Sequence, residues 1–313
     1  MRIAVAGTNS LALLIAHYVV TETSHQIVVL ARQAQPRLAN QEYQVLIVDY
    51  GHQGSLQHAV MGVDTVISTV TGTPEVELLK ACVSQRVRRF VPAEFEGRPS
   101  SRAQDDPLDQ GKNTVLAWLE HYRSQIESTV FCCGVLYERF GPGGLAAHGL
   151  GLLTQRAQEG DYIVNVRTMR ANAPVYDANH QLNVYICLTA AQDVARFVVR
   201  AIDMPRWPKE MTIAGERMTV WDMTNIVIRV RGVPLNNPIW HTPDSLRSDL
   251  LLAQTLRDGA RIARAHDHIA TVGGRYDFQA PGTMRTMSRC RDIVPLAFEA
   301  WLRSVWSTHP VSN

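Results

Sequence analysis

The chain has 313 residues, of which 46% are hydrophobic and 19% charged, a composition typical of folded globular proteins and not of disordered chains. Lys and Arg total 31 against 29 for Asp and Glu, and the resulting charge of +2 indicates no basic surface for nucleic acid. These numbers predict one large or two modest domains and favour a small molecule as the partner.

The five cysteines show no paired spacing of the kind that binds zinc or forms a redox CxxC motif, which is typical of a reducing compartment. Met1 leads directly into the apolar run Ile3-Ala-Val-Ala6, without the basic region and cleavage site of a secretory signal. No apolar stretch reaches the length needed to span a bilayer. We therefore expect a cytoplasmic protein without a membrane partner, and the sequence leaves its oligomeric state open.

Short β-branched runs alternate with longer helix-period segments over the first 135 residues, a pattern that indicates βαβ units. The predicted strands are 3–6, 26–31, 45–48, 65–70, 89–92 and 129–134. The predicted helices between them are 11–21, 55–61, 75–85 and 111–122. Uninterrupted apolar runs such as Ile27-Val-Val-Leu30 indicate strands covered on both faces. The predicted fold class is α/β, a doubly wound parallel sheet of the Rossmann-like NAD(P)-binding type with a smaller C-terminal domain.

The segment Gly141-Pro-Gly-Gly144 interrupts this alternation. Beyond it we predict strands near 162–166, 184–188 and 211–214, and helices near 192–202, 219–231, 246–264 and 295–306. The helix at 192–202 is expected to return to the sheet. The predicted organisation is a nucleotide-binding domain over 1–150, to which 184–204 returns, and a smaller substrate-binding domain over 151–183 and 205–313.

Gly7 ends the first predicted strand, where a dinucleotide fold needs a tight turn and close approach to a pyrophosphate. The segment Gly7-Thr8-Asn9-Ser10-Leu11-Ala12 reads G-x-N-x-x-A, so Asn9 replaces the expected second glycine. Ala12 suits close packing of helix on sheet, and Asn tolerates a left-handed conformation. We predict that Gly7, Thr8, Asn9, Ser10 and Leu11 bind a dinucleotide; a strand–helix turn without any ligand is the alternative.

Arg32 follows the second predicted strand, where a dinucleotide fold places the residue that contacts the adenosine ribose. An acid at this point favours NAD, whereas a guanidinium can form paired hydrogen bonds with the 2′-phosphate of NADP. The predicted cofactor is therefore NADP(H), and a solvated strand-end arginine is the alternative.

Several segments in order resemble one family, the NmrA-like and isoflavone-reductase-like branch of atypical short-chain dehydrogenases. They are Ala4-Val-Ala-Gly7, Val29-Leu-Ala-Arg32, the run from Gly62 to Thr69, and Arg88-Arg-Phe-Val-Pro-Ala-Glu-Phe95. The last is similar to the family's RFIPSEFG segment and is the most specific. The resemblance implies a cofactor across the carboxyl edge of the sheet and a substrate between it and the smaller domain.

The chain lacks the YxxxK motif of typical short-chain dehydrogenases, and its only lysines are Lys80, Lys112 and Lys209. Lys112 begins a predicted helix after the loop that leaves the fifth strand. In the family that the chain resembles, a lysine at the matching position is catalytic. The resemblance thus implies that Lys112 hydrogen-bonds the substrate oxygen or relays a proton; a surface lysine at a helix N-terminus is the alternative.

Residues after the other strands complete the predicted pocket. Those expected near the cofactor are Thr71, Gly72, Glu94 and Phe95. Those expected to contact the substrate are Pro74, Phe95, Tyr137 and Phe140, although aromatic residues after strands often lie in the core. The histidines show no ligand spacing, so no metal site is predicted.

Together these features predict an NADPH-dependent reductase of a small aromatic or polyketide-like metabolite, of the kind found in secondary metabolism. Two alternatives stay open. Asn9 in the glycine loop is compatible with an isomerase, cyclase or dehydratase that uses the same pocket without hydride transfer. A regulator that senses dinucleotides, similar to the regulatory NmrA-like proteins, would have no need of Lys112.

Overall fold

The main sheet has six parallel strands in the order β3-β2-β1-β4-β5-β6. The structure is a computed structural model that describes residues 1–38, 44–102, 105–152, 156–278 and 283–309. The strands are β1 (Arg2–Ala6), β2 (Gln26–Ala31), β3 (Gln44–Ile47), β4 (Thr65–Ser68), β5 (Arg89–Val91) and β6 (Glu127–Ser128). Strand order reverses between β1 and β4, which is the Rossmann arrangement, so the predicted fold class is confirmed.

Helices cover both faces of this sheet. They are α1 (Ser10–Glu22), α2 (Gln53–Val60), α3 (Thr73–Ser84), α4 (Lys112–His121) and α5 (Ala191–Ile202). Alternate side chains of β1 enter different cores: Ile3 and Val5 pack with residues of α1 and α5, whereas Ala4 and Ala6 pack with residues of α2, α3 and α4. The helix predicted at 192–202 is α5, and its residues pack in one core with those of α1.

The second half of the chain forms smaller sheets, most of which pack around a separate core. Its strands are β7 (Val130–Cys132), β8 (Val135–Leu136), β9 (Ile163–Asn165), β10 (Arg170–Pro174), β11 (Tyr185–Thr189), β12 (Glu210–Thr212), β13 (Glu216–Thr219) and β14 (Ile239–His241). Its helices are α6 (Val220–Arg231), α7 (Pro243–Thr255), α8 (Gly259–Val272), α9 (Thr283–Thr286) and α10 (Phe298–Trp306). Ile186 and Leu188 of β11 lie in this second core beside Phe298. In the described ranges no helix has the length and apolar character that crossing a membrane requires.

The sixth predicted strand, at 129–134, is wrong in its pairing. Only Glu127 and Ser128 pair with β5, and the following residues form β7, which pairs with β12 in another sheet. Pro92 follows β5 directly and has no N–H group to extend the ladder. The chain therefore leaves the main sheet after Ser128.

Arg89 joins strand β5 of the main sheet to the end of α5. Its side chain is 1% exposed, and Nε donates to Glu127 at 2.6 Å. The two terminal nitrogens donate to the carbonyls of Ile202 at 2.8 Å and Met204 at 2.7 Å, and the guanidinium lies 4.6 Å from the ring centre of Trp207. Every face of this buried cation therefore has a partner.

We expect Arg89→Leu to lower the free energy of unfolding by about 3 kcal/mol, because it leaves two carbonyls and a carboxylate without their donor. The neighbouring Arg88 forms an exposed ion pair with Asp64, so Arg88→Leu should cost less than about 1 kcal/mol. Urea unfolding of both variants measures the difference. Equal losses would contradict the role given to Arg89.

Candidate active site

A cavity of about 620 Å³ opens at the carboxyl edge of the main sheet, between β1 and β4. Residues of both halves of the chain line it. Most of the predicted site residues do so: Gly7, Thr8, Asn9, Leu11, Arg32, Thr71, Pro74, Phe95 and Lys112. The cavity lies where the strand order reverses, which is the usual ligand site of such sheets.

At Gly7 the wall of the cavity is backbone without a side chain. Its φ is +114°, and a Cβ there would lie 2.2 Å from Oγ1 of Thr69. That hydroxyl donates to the carbonyl of Ala6 at 2.8 Å and fixes the close approach of β1 and β4. A side chain at position 7 would force these two strands apart.

Asn9 is the N-cap of α1. Its Oδ1 accepts from the backbone N–H of Ala12 at 2.9 Å, and its φ of −72° lies outside the left-handed region. Asparagine is among the preferred residues for this position. The side chain that replaces the second glycine thus accepts a hydrogen bond from the N-terminus of α1. The N–H groups of Ser10 and Leu11 lie in the first turn of this helix, where N–H groups lack intrahelical partners.

Arg32 lies at the opposite end of the cavity from Lys112. It directly follows β2, and its side chain is exposed at the rim. Leu30, Ala31 and Tyr50 form the wall beside it. An anionic group bound at this rim would lie within reach of the Arg32 guanidinium.

Lys112 is the first residue of α4, and two successive left-handed residues place it there: Gln110 with φ 52° and Gly111 with φ 84°. Asp109 supports the turn, since Oδ1 accepts from the N–H of Asn113 at 2.8 Å and Oδ2 from that of Gly111 at 3.0 Å. A cation is unfavourable at a helix N-terminus, so the lysine needs compensation from elsewhere.

Two carboxylates supply that compensation. The Lys112 Nζ lies 2.7 Å from Oε2 of Glu96 and 3.5 Å from Oε1 of Glu94. Glu94 is 2% exposed and is itself paired with Arg102. The ammonium is therefore held at the cavity wall as one member of a connected group of charges.

Glu96 has two further cationic partners. Nη2 of Arg156 lies 3.2 Å from one of its oxygens, and Nη2 of Arg275 lies 3.3 Å from the other. Burial alone would raise the pKa of Glu96, but Lys112, Arg156 and Arg275 outweigh it and hold this pKa well below its usual value. Arg156 also pairs with Asp267 at 3.1 Å. The site therefore contains an ionised carboxylate among fixed cations.

Five predicted site residues lie outside the cavity lining: Ser10, Gly72, Glu94, Tyr137 and Phe140. Tyr137 and Phe140 were predicted to contact the substrate, but both are buried in the second core against Phe298, at ring distances of 5.1 Å and 5.6 Å. The apolar partner for these rings is the C-terminal helix α10, so they face the core and not the ligand. Glu94 lies behind the wall and supports Lys112.

Sequence reasoning missed several lining residues: Glu96, Arg139, Arg156, Tyr162, Asp267 and Tyr276. Glu96 had a detectable signal, because the similar family segment ends in Phe-Gly where this chain has Phe95-Glu96. The others lie on distant elements of the second half, and no local pattern marks them.

No protein-family profile matches the chain. Oxidoreductase BOA1 of Botryotinia fuckeliana is 24% identical over 250 residues, which is 74% of this chain and 76% of that protein. Oxidoreductase swnR of Metarhizium robertsii is 26% identical over 254 residues, 77% of this chain and 78% of that protein.

Leucoanthocyanidin reductase from Vitis vinifera, in a ternary complex, has a TM-score of 0.72 at 16% identity and covers 97% of this chain and 99% of its own. The two chains share their fold over nearly their whole length. AtPrR2 with NADP+ and (+)-pinoresinol also has a TM-score of 0.72 at 16% identity, over 97% of this chain and 98% of its own. The fold that the family resemblance implied is thus confirmed.

Glu75, in the first turn of α3, gives a pH-dependent prediction. Its Oε1 accepts from the N–H of Ala93 at 2.6 Å, and burial raises its pKa from 4.5 to about 8. The folded state therefore binds this proton more tightly than the unfolded state. The corresponding stability is present below pH 4.5 and is lost as the pH rises through about 8.

We expect Glu75→Gln to remove this slope, so that between about pH 5 and pH 8 its free energy of unfolding falls less than that of the wild type, by on the order of 3 kcal/mol. Glu77→Gln is the control, because Lys80 and Gln53 lower the pKa of Glu77 instead. Denaturant unfolding at several pH values measures both. A wild-type slope in Glu75→Gln would show that Glu75 is ionised in the folded protein.

Proposed function

We propose that the protein is an NADPH-dependent reductase of a small aromatic or polyketide-like metabolite in secondary metabolism. The observation that carries this proposal is a single cavity with a dinucleotide-type turn and Arg32 at one end and the paired ammonium of Lys112 at the other. The fungal relatives are named oxidoreductases, and the solved neighbour AtPrR2 is in complex with NADP+ and (+)-pinoresinol, which supports both parts of the proposal.

The residues present fit an NADP(H) molecule, which would supply the hydride when bound. The bare backbone at Gly7 admits a pyrophosphate, and the N–H group of Leu11 at the positive end of α1 would hold it. Arg32 would take the 2′-phosphate as a paired, charge-assisted contact. The strand end that would carry an acid in an NAD-specific site carries this arginine.

Lys112 would act on the substrate oxygen. Its ammonium lines the cavity and is oriented by Glu96 and Glu94, so it can donate a hydrogen bond to an oxygen that becomes negative as the carbon beside it receives a hydride. Stabilising that charge lowers the barrier without moving the lysine. The oxygen then takes a proton from solvent, which completes the reduction.

The alternatives have less support. The non-redox interpretation was motivated by Asn9, and this side chain caps α1. A sensor would not need Lys112 in the cavity wall. The proposal retains a cytoplasmic location, in keeping with the buried free thiols of all five cysteines, a small-molecule partner, and the domain division near residue 150.

The direct test is loss of NADPH absorbance in the presence of a panel of aromatic ketones, enones and benzylic ethers. We expect at least one compound to consume NADPH in proportion to the product formed, and NADH to be used poorly. Turnover that proceeds unchanged without nicotinamide would favour the non-redox alternative and contradict this function.

Arg32→Asp should weaken NADPH binding by on the order of 2 kcal/mol, because it removes a charge-assisted contact and adds a repulsive charge. NADH, which lacks the 2′-phosphate, should be affected much less. Arg206→Asp, at an exposed arginine outside the cavity, is the control for the change in net charge. Calorimetric titration measures the affinity of each variant for NADPH and for NADH. An equal effect on both cofactors would rule out phosphate recognition by Arg32.

Lys112→Met should fold normally and lower kcat by roughly 10²–10⁴, the usual contribution of a positioned donor. Since two carboxylates hold Lys112 as a hydrogen-bond donor, Lys112→Arg should recover part of this loss. Lys209→Met, at a lysine that is 85% exposed and outside the cavity, should behave as the wild type. Steady-state kinetics distinguish the variants, and wild-type turnover by Lys112→Met would withdraw the catalytic assignment.

A further inference from the structure

Arg139 is fixed in the wall of the cavity by two contacts. It lies in the helical turn Tyr137–Phe140, and its Nη1 donates to the carbonyl of Arg156 at 2.8 Å. Its guanidinium lies 5.1 Å from the ring centre of Tyr162. The Tyr162 hydroxyl is in turn hydrogen-bonded to Thr271 at 2.7 Å, so the ring cannot turn away. The guanidinium is therefore oriented before any ligand binds.

The charges around the cavity do not balance at this point. The acidic side chains in the described part of the lining are Glu96 and Asp267, and both already pair with Lys112 or Arg156. Arg139 has no carboxylate within 4.0 Å among the residues that the structure describes. Within the described part of the chain, this half-buried cation thus has no carboxylate at ion-pair distance, which is unfavourable unless a ligand supplies one.

Arg139 belongs to the Lys112 side of the cavity. Its hydrogen bond goes to Arg156, the guanidinium of Arg156 pairs with Glu96, and Glu96 pairs with Lys112. Arg32, by contrast, follows β2 at the opposite rim. These contacts place Arg139 beside the substrate and away from the adenosine end of the cofactor.

We propose that Arg139 binds a carboxylate carried by the substrate, so that the substrate is an aromatic or polyketide-like acid. The planar guanidinium matches the two oxygens of a carboxylate, and the Tyr162 ring beside it offers an apolar surface for the adjoining part of the molecule. The inference rests on the proposed function, because it assigns the substrate of the same site.

The test compares acids with their uncharged amides on the NADP+-bound protein. The probes are cinnamate with cinnamamide and benzoate with benzamide, titrated by calorimetry. We expect at least one acid to bind more tightly than its amide by about tenfold or more, since the charge-assisted contact is present only for the acid. Arg139→Gln should abolish this preference and leave the affinity for the amide unchanged, and Arg139→Lys should keep part of it.

Arg231→Gln is the matched control. Arg231 also donates through Nη1 to a backbone carbonyl, that of His309 at 2.7 Å, and lies 4.9 Å from the ring centre of Trp306, but it is outside the cavity. It should retain the wild-type preference for acids. Melting temperatures of all variants separate loss of binding from loss of folding.

Three results would overturn the inference: no acid binding above its amide in the wild type, an acid preference that survives in Arg139→Gln, or a loss of NADP+ affinity in that variant with the acid-to-amide ratio intact. The last would assign Arg139 to the cofactor. Failure of the proposed function would look different, because the unmodified protein would then bind neither NADP+ nor NADPH.

Discussion

The carboxylate of Glu96 holds the two halves of the molecule together at the point where chemistry is proposed. Its partners come from three parts of the chain: Lys112 lies 16 residues away, Arg156 lies 60 away and Arg275 lies 179 away. Lys112 begins a helix of the Rossmann sheet, whereas Arg156 and Arg275 belong to the second half. The position of the ammonium therefore depends on the docking of the second half onto the sheet.

Charges buried in this way are costly to desolvate, and they are tolerated where each has good partners. The group meets that condition: Arg275 also pairs with Asp106, Arg102 pairs with Glu94 and lies 3.2 Å from Asp109, and Asp109 supports the turn before Lys112. Such a connected group fixes donors in place before a substrate arrives, which is what stabilisation of a developing oxyanion requires. Arg139 borders this group through the carbonyl of Arg156 but has no carboxylate within 4.0 Å among the described residues, and this difference points to a partner from outside the chain.

Local sequence patterns predicted the elements whose conformation depends on residues that are close in the sequence. The apolar run at 26–31 forms a central strand, and Gly7 forms the turn that follows β1. The other features depend on contacts between distant parts of the chain. Pro92 has no N–H group to extend the pairing of β5 with β6, and packing against α10 buries Tyr137 and Phe140 in the second core. Asparagine tolerates a left-handed conformation, but the hydrogen bond from Ala12 holds Asn9 extended as a cap. Glu96 was missed because two of its partners lie on segments whose positions only the folded chain determines.

A crystal structure of the protein grown with NADP+ is the direct test of the proposed site. We expect the dinucleotide in the cavity, with its pyrophosphate against the N–H group of Leu11, its 2′-phosphate at Arg32 and its nicotinamide ring facing Lys112. The ion pair between Lys112 and Glu96 should remain closed. A dinucleotide bound elsewhere or in the reverse direction, or an open pair with Lys112 turned to solvent, would contradict it.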